Sequence, residues 1–198
     1  MDINTFAEKM KIASSAIDLQ RMDNEIIRTT DPNPVQINSP GAHNLIIAIE
    51  ELSELTDVIL LADSQNYVDF TNTGTKLHMT EELADVIMST RYIQLACGVN
   101  NENAIMLAIA AMPSGSTFID FKTNTGDAIR LFMCGQSLIT KYLRGSKKVT
   151  SDMLTDYVEK IIAMCVNLAR MYRISYDDIK KAMNIKLDRL TNNVGTYL

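Results

Sequence analysis

The residues best suited to chemistry are two pairs of acidic side chains that share one helical spacing. Glu51 and Glu54 lie three residues apart, and so do Glu82 and Asp85. Side chains three residues apart project from the same face of an α-helix, so each pair can present two carboxylates to a common point. If the two helices pack side by side, we expect all four carboxylates to converge.

Such a convergence is unfavourable unless a positive charge neutralises it. Carboxylates that are close together in a medium of low dielectric constant repel, and each raises the pKa of the others. A divalent cation removes this penalty, and all-oxygen ligation favours Mg²⁺, or Mn²⁺ as the alternative, over zinc. For any single glutamate a solvated position is the simpler interpretation, and we expect it for the neighbouring Glu50 and Glu81.

Apolar residues accompany both acidic pairs at the period of an α-helix. The stripe beside the first pair comprises Leu45, Ala48, Ile49, Leu52, Leu55 and Ile59. The stripe beside the second pair comprises Leu83, Val86, Ile87, Thr90 and Ile93. Each acidic pair falls on the edge of its stripe, so the pattern predicts carboxylates at the margin of a helical bundle.

The same periodicity recurs along almost the whole chain. It predicts helices at 4–27, 43–63, 78–98, 101–112, 126–144, 150–173 and 175–192. We expect Ser151 and Ser175 to cap the last two helices and Gly145 to end the fifth. The segments 64–77 and 113–125 break the pattern. Residues 67–74 and 118–126 share a short similarity that ends in Asn-Thr-Gly, which indicates chance, two similar turns or, alternatively, a short hairpin between the two segments. The predicted fold is a single all-α domain, 1–198.

Composition agrees with a helical globular protein and excludes several functions. The 198 residues include only 8 Gly and 4 Pro, and 46% of them are hydrophobic. A net charge of -5 argues against binding nucleic acid or an anionic membrane, so a phosphate-bearing ligand must be bound locally by a metal or a few bases. Three isolated cysteines, no export signal and no bilayer-length apolar run predict a cytoplasmic protein.

The acidic motifs also carry a family resemblance. Residues 49–55, Ile-Glu-Glu-Leu-Ser-Glu-Leu, and 81–87, Glu-Glu-Leu-Ala-Asp-Val-Ile, resemble the ExxE and ExxD signature of the all-α nucleoside triphosphate pyrophosphohydrolases. That superfamily includes MazG proteins, dCTP pyrophosphatases and dimeric dUTPases. The resemblance covers 41–99 and 160–190, and the 27 residues between Glu54 and Glu82 lie at the long end of the family's spacing.

This resemblance implies Mg²⁺-dependent hydrolysis of a nucleoside triphosphate to a monophosphate and pyrophosphate. Glu51, Glu54, Glu82 and Asp85 would hold the metal, which would neutralise phosphate oxygens and activate a water molecule. Either Glu51 or Glu54 could instead take the proton of that water. The sequence leaves the choice between them open.

A polar and basic tail closes the family's signature, and its best match lies near the carboxyl end of the chain. Residues 167–175 followed by Asn184, Lys186 and Arg189 resemble it, which makes these three residues candidates for contacts to substrate phosphates. Lys160 is a weaker candidate. In the family this tail follows the ExxD helix directly, whereas here it is displaced along the chain.

The displacement indicates a degenerate internal duplication with repeats at 41–112 and 126–192. An offset of 75 residues places Tyr157 and Lys160 where a second ExxD would stand. The first half would keep the acids and the second the bases, so that one chain forms a pseudo-dimer with one metal site. Generic similarity between amphipathic helices is the alternative explanation, and a homo-oligomer is also open.

His43 and Asn44 stand just before the helix that carries Glu51, where they could contact the base or the sugar. Asn44 could equally cap that helix. The two histidines, His43 and His78, do not follow a glutamate by three residues, which argues against a di-iron carboxylate bundle. No His-Asp dipeptide and no phosphate-binding GxxxxGK[ST] loop occurs. The remaining alternative is a non-catalytic helical protein that binds a nucleotide or a regulatory partner.

Overall fold

The computed structural model of the chain describes residues 42–64, 73–96 and 125–193. These residues form five helices, namely α1 (Ala42–Ser64), α2 (Thr73–Ala96), α3 (Thr125–Leu143), α4 (Ser151–Met171) and α5 (Tyr176–Asn193). The all-α prediction is confirmed for this part of the chain. The predicted helices at 4–27 and 101–112 lie outside the described residues. None of the five helices combines the length and the apolar character that a membrane crossing requires.

Both Asn-Thr-Gly motifs open a helix. The second residue of the motif is the first residue of α2, Thr73, and of α3, Thr125. α2 therefore begins five residues before the predicted 78. At Thr73, Gly74, Thr125 and Gly126 the hairpin interpretation is wrong, and the rest of the predicted hairpin lies outside the described residues.

Local capping explains where α3 ends, as the sequence predicts. Gly145 adopts a left-handed conformation with φ of 69°, which glycine reaches without steric cost. The backbone N–H of Gly145 donates to the carbonyl of Tyr142 at 2.9 Å, and the N–H of Ser146 donates to that of Lys141 at 3.0 Å. These two bonds satisfy carbonyls that the helix end leaves without partners.

The starts of α4 and α5 test the two serine caps. Thr150, and not Ser151, caps α4, because its extended backbone lets its hydroxyl accept a hydrogen bond from the N–H of Met153 at 3.3 Å. The Ser151 prediction is thus wrong by one residue. Ser175 is confirmed: its hydroxyl accepts from the N–H of Asp178 at 3.2 Å, and its own N–H donates to the Asp178 carboxylate at 3.0 Å.

α2 lies at the centre of the described bundle, in contact with α1, α4 and α5. α1 also packs on α3, and α3 packs on α4. The stripe predicted for α2 is entirely buried, and that of α1 is buried except for the partly exposed Ile49. Because burial of these faces drives the packing, the edges that carry the acids are held at the α1–α2 boundary.

A close contact fixes α3 against α4. Gly135 of α3 is buried beneath the ring of Tyr157 of α4, and the Tyr157 hydroxyl donates to the carbonyl of Leu131. A Cβ atom at position 135 would overlap that ring. We therefore expect Gly135→Ala to lower the free energy of unfolding by about 1–3 kcal/mol, although alanine favours helices.

Urea denaturation would measure this change, with Ser137→Ala as the control because Ser137 is exposed on the same helix. The control should be neutral or slightly stabilising. Equal stability of the two variants would contradict the close approach of α3 and α4 at Gly135.

Candidate metal centre

α1 and α2 bring three carboxylates together at their boundary. Glu51, Glu82 and Asp85 each offer an oxygen, and these oxygens lie within 4.8 Å of one another. Glu51 is 9% exposed and Glu82 is 8% exposed, while Asp85 is partly buried. The convergence that the helical spacing predicts therefore occurs for three of the four acids. We refer to Glu51, Glu82 and Asp85 as the acidic triad.

Glu54 is the acid that does not join the triad. A step of three residues turns its side chain by about 60° relative to Glu51, away from the buried stripe of α1. It is exposed, and it lines a cavity of about 350 Å³ together with Glu82, Asp57 and His78. It remains close enough to raise the pKa of Glu82 and of Asp85.

Lys186 of α5 contacts the triad directly. Its Nζ lies 2.9 Å from Oε1 of Glu51 and 2.6 Å from Oδ2 of Asp85. Residue 186 lies seven positions after the buried Ile179 and three after the buried Met183, so it shares the inward face of α5. The base that the sequence assigns to phosphates thus lies between two carboxylates in this structure.

Burial and the neighbouring charges shift the pKa values of Glu82, Asp85 and Lys186. Burial, followed by the charges of Asp85, Glu54 and Glu51, raises the pKa of Glu82 to about 7. Burial raises the pKa of Asp85 to about 6, although Lys186 opposes the shift. Burial alone would lower the pKa of Lys186, but Asp85 and Glu51 outweigh it and raise that pKa. One ammonium group therefore does not neutralise the acidic triad.

Two oxygens of the acidic triad are free to accept a hydrogen bond or to bind a cation, as far as the described residues show. Oε2 of Glu51 and Oε2 of Glu82 are buried, and neither has a hydrogen-bond partner among the described residues. Buried carboxylate oxygens without partners are rare because removing them from water is costly. An all-oxygen donor set with unsatisfied lone pairs is what a hard divalent cation binds, so these residues fit a Mg²⁺ ion.

His78 and Asp57 are site residues that the sequence reasoning did not select. Nε2 of His78 lies 3.3 Å from Oε1 of Glu82, one helical turn further along α2. Asp57 follows Glu54 by three residues on α1 and lines the same cavity. Both were detectable, because His78 precedes Glu82 by four residues and Asp57 extends the acidic spacing of α1.

The other two candidates on α5, Arg189 and Asn184, lie on different faces of the helix. Arg189 is exposed and follows Lys186 by three residues, so the two side chains share one side of α5. Asn184 is partly buried and precedes Lys186 by two residues, which directs it to a different face. The structure therefore does not place Asn184 beside Lys186, and its predicted phosphate contact stays a prediction.

Lys160, His43 and Asn44 do not form part of the cluster as described. Lys160 is exposed on α4, where its Nζ pairs with the Asp156 carboxylate at 2.6 Å. His43 and Asn44 belong to the first turn of α1, and their side chains lie outside the described part of the structure. Asn44 is the third residue of the helix, so the capping interpretation is wrong.

Comparison with protein-family models, with curated proteins and with solved structures finds no match to this chain. The resemblance to the all-α nucleoside triphosphate pyrophosphohydrolases therefore stays a prediction from the acidic motifs. What bears on function is the site itself: three clustered carboxylates, one lysine ammonium and two buried oxygens that have no partner within 42–64, 73–96 and 125–193.

Proposed function

We propose that this chain is a Mg²⁺-dependent nucleoside triphosphate pyrophosphohydrolase, which releases a nucleoside monophosphate and pyrophosphate. The observation that supports it most is a pair of buried oxygens next to Asp85, Oε2 of Glu51 and Oε2 of Glu82, which accept no hydrogen bond from any described residue. Buried carboxylates with excess negative charge are stabilised by a divalent cation, and such a cation attracts a triphosphate to an otherwise acidic protein.

The acidic triad would hold the ion. When bound, Mg²⁺ neutralises phosphate oxygens and lowers the pKa of a water molecule. Glu54 is the better-placed general base, because Glu51 belongs to the triad that would hold the ion, whereas Glu54 is exposed at the adjoining cavity. In this arrangement Glu54 takes the proton of the attacking water.

Positive charge and space beside the triad complete the proposed site. Lys186 supplies an ammonium group, and the exposed Arg189 follows it on the same side of α5. These bases would contact the phosphates that extend beyond the metal. Val58 and Leu61 contribute apolar surface to the cavity that Glu54 lines, where the sugar or base of the substrate would lie.

The proposal includes an internal duplication, in which the repeats 41–112 and 126–192 of one chain pack together as two subunits would. α1 and α2 would correspond to α3 and α4, and the second half has lost its acids. Tyr157, which stands where a second ExxD would begin, packs on Gly135 of α3. The second half thus acts as a packing partner for α1 and α2, and α5 contributes Lys186 to the one remaining site.

A panel of ribonucleoside and deoxynucleoside triphosphates with Mg²⁺ tests the proposal. We expect the wild-type protein to release pyrophosphate, Asp85→Asn to lose this activity with its metal, and Glu54→Gln to lose it with its base. Glu50→Gln is the matched control, since Glu50 is exposed on α1, and it should keep full activity. Release of inorganic phosphate, or unchanged activity in Asp85→Asn, would contradict the assignment.

A non-catalytic nucleotide-binding protein is the second candidate. It is favoured by the contacts of Lys186, because a cluster that contains its own cation can serve as a structural ion-pair network. Nucleotide binding without turnover in the same panel would support this candidate.

A further inference from the structure

Lys186 lies where a metal ion of the proposed site would lie, in contact with Glu51 and Asp85. We propose that Lys186 is an exchangeable internal cation: it occupies the acidic triad when no metal is bound, and Mg²⁺ displaces it from Glu51 and Asp85. The released ammonium group then contacts the triphosphate. This inference rests on the proposed function and adds an order of events to it.

The charges of the site favour such an exchange. An ammonium group brings one positive charge to three carboxylates, whereas Mg²⁺ brings two. Lys186 contacts Glu51 and Asp85, but Oε2 of Glu51 and Oε2 of Glu82 stay without a partner in the part of the chain that the structure describes. A divalent ion can contact oxygens of all three residues, because these lie within 4.8 Å of one another.

The ion and the ammonium group compete for the same atoms. Metal ligation requires oxygens of Glu51 and Asp85, and in the absence of metal one oxygen of each binds Nζ of Lys186 at 2.9 and 2.6 Å. Two cations held by the same carboxylates in a partly buried site would repel strongly. The metal therefore binds at the expense of the lysine contacts.

Lys186 has a route out of the triad. Its side chain is 28% exposed, so part of it already reaches solvent. A lysine side chain has a flexible stem of four carbons, so its ammonium group can move several ångströms without movement of the helix. Arg189 lies on the same side of α5 and is exposed, so the released ammonium and this guanidinium would face one phosphate chain.

Affinity for Mn²⁺ measures the competition. We would titrate Mn²⁺ by electron paramagnetic resonance at about pH 8, where Glu82 and Asp85 are largely ionised. Lys186→Met keeps the length of the stem without its charge and should bind Mn²⁺ about tenfold more tightly, a typical coupling between linked sites. Lys181→Met removes an exposed charge from the same helix, away from the proposed site, and should leave the affinity nearly unchanged.

Two outcomes of this titration would refute the exchange of Lys186 for metal, and a third would refute the proposed function. Equal or weaker binding by Lys186→Met refutes the exchange but leaves the metal site in place. An equal gain in Lys181→Met assigns the effect to overall charge and also refutes the exchange. Absence of Mn²⁺ binding in every form, wild type included, refutes the proposed function itself.

Displacement can also be measured in the wild-type protein, so the inference does not depend on the folding of a variant. Acetic anhydride labels accessible lysine amines, and mass spectrometry reports each position. We expect saturating Mg²⁺ to raise the labelling of Lys186 several-fold and to leave the exposed Lys181 unchanged as the internal reference. Unchanged labelling of Lys186 while the metal binds would show that lysine and metal occupy the site together, which overturns the exchange.

Discussion

Glu82→Gln is expected to stabilise the metal-free protein and, in the same molecule, to abolish metal-dependent hydrolysis. Burial, followed by the charges of Asp85, Glu54 and Glu51, raises the pKa of the Glu82 carboxyl to about 7. Glutamine keeps the shape of the side chain and removes the charge. At about pH 8 the free energy of unfolding should therefore rise by roughly 2 kcal/mol.

Activity should change in the opposite direction. Loss of an outer-shell partner of a metal typically lowers activity by roughly 10- to 100-fold, and loss of a ligand should lower it further. Urea denaturation in the presence of a chelator gives the stability, and pyrophosphate release with Mg²⁺ gives the activity. Together the two measurements would show that the Glu82 carboxylate lowers the stability of the metal-free protein and is required for hydrolysis.

Glu50→Gln is the control for both measurements, because Glu50 is an exposed glutamate on α1 and should show neither effect. Excess Mg²⁺ should stabilise the wild-type protein and fail to stabilise Glu82→Gln. If Glu82→Gln were less stable than wild type in chelator, the contact of Glu82 with His78 would outweigh the cost of its burial.

The stability of the metal-free protein should fall as the pH rises from about 5 to about 7.5. The folded chain holds protons on Glu82 and Asp85 up to pKa values of about 7 and 6, against ordinary values of 4.5 and 3.8. Within that interval the folded state binds more protons than the unfolded state, so a rise in pH favours unfolding. We expect a loss of about 2–4 kcal/mol.

Lys186 and Asp178 alter the pH dependence of stability only outside this interval. The raised pKa of Lys186 preserves its contribution until well above neutral pH. Asp178 has a lowered pKa, because hydrogen bonds from the Ser175 backbone and hydroxyl outweigh its burial. Its contribution is present above the ordinary pKa of an aspartate and is lost as the pH falls further. Stability should therefore be greatest near pH 5.

Mg²⁺ should remove the decline, because it binds the ionised carboxylates and releases their protons. Thermal unfolding at several pH values, with chelator and with excess Mg²⁺, measures both curves. Asp85→Asn should make the chelator curve shallower by removing one of the two titrating groups. A curve that stays flat, or rises, in chelator would contradict the raised pKa values of the acidic triad.

Local features of this protein follow from its sequence. The helical period identified α1 and α2 and the apolar stripes that contain Leu52 and Leu83, two residues that are fully buried. It also placed Glu51 and Glu82 on the edges of those stripes, where the structure has them. Periodicity, caps and breakers act over one or two turns, so a single segment carries the whole signal.

The tertiary structure decided how the segments meet. It selected Glu51, Glu82 and Asp85 and left Glu54 exposed at the cavity, which the shared spacing of the two pairs did not distinguish. It also brought Lys186 to Glu51 across a separation of 135 residues. Pairings of this kind depend on the rotation and separation of packed helices, which are set by the whole core and not by the pattern of any one helix.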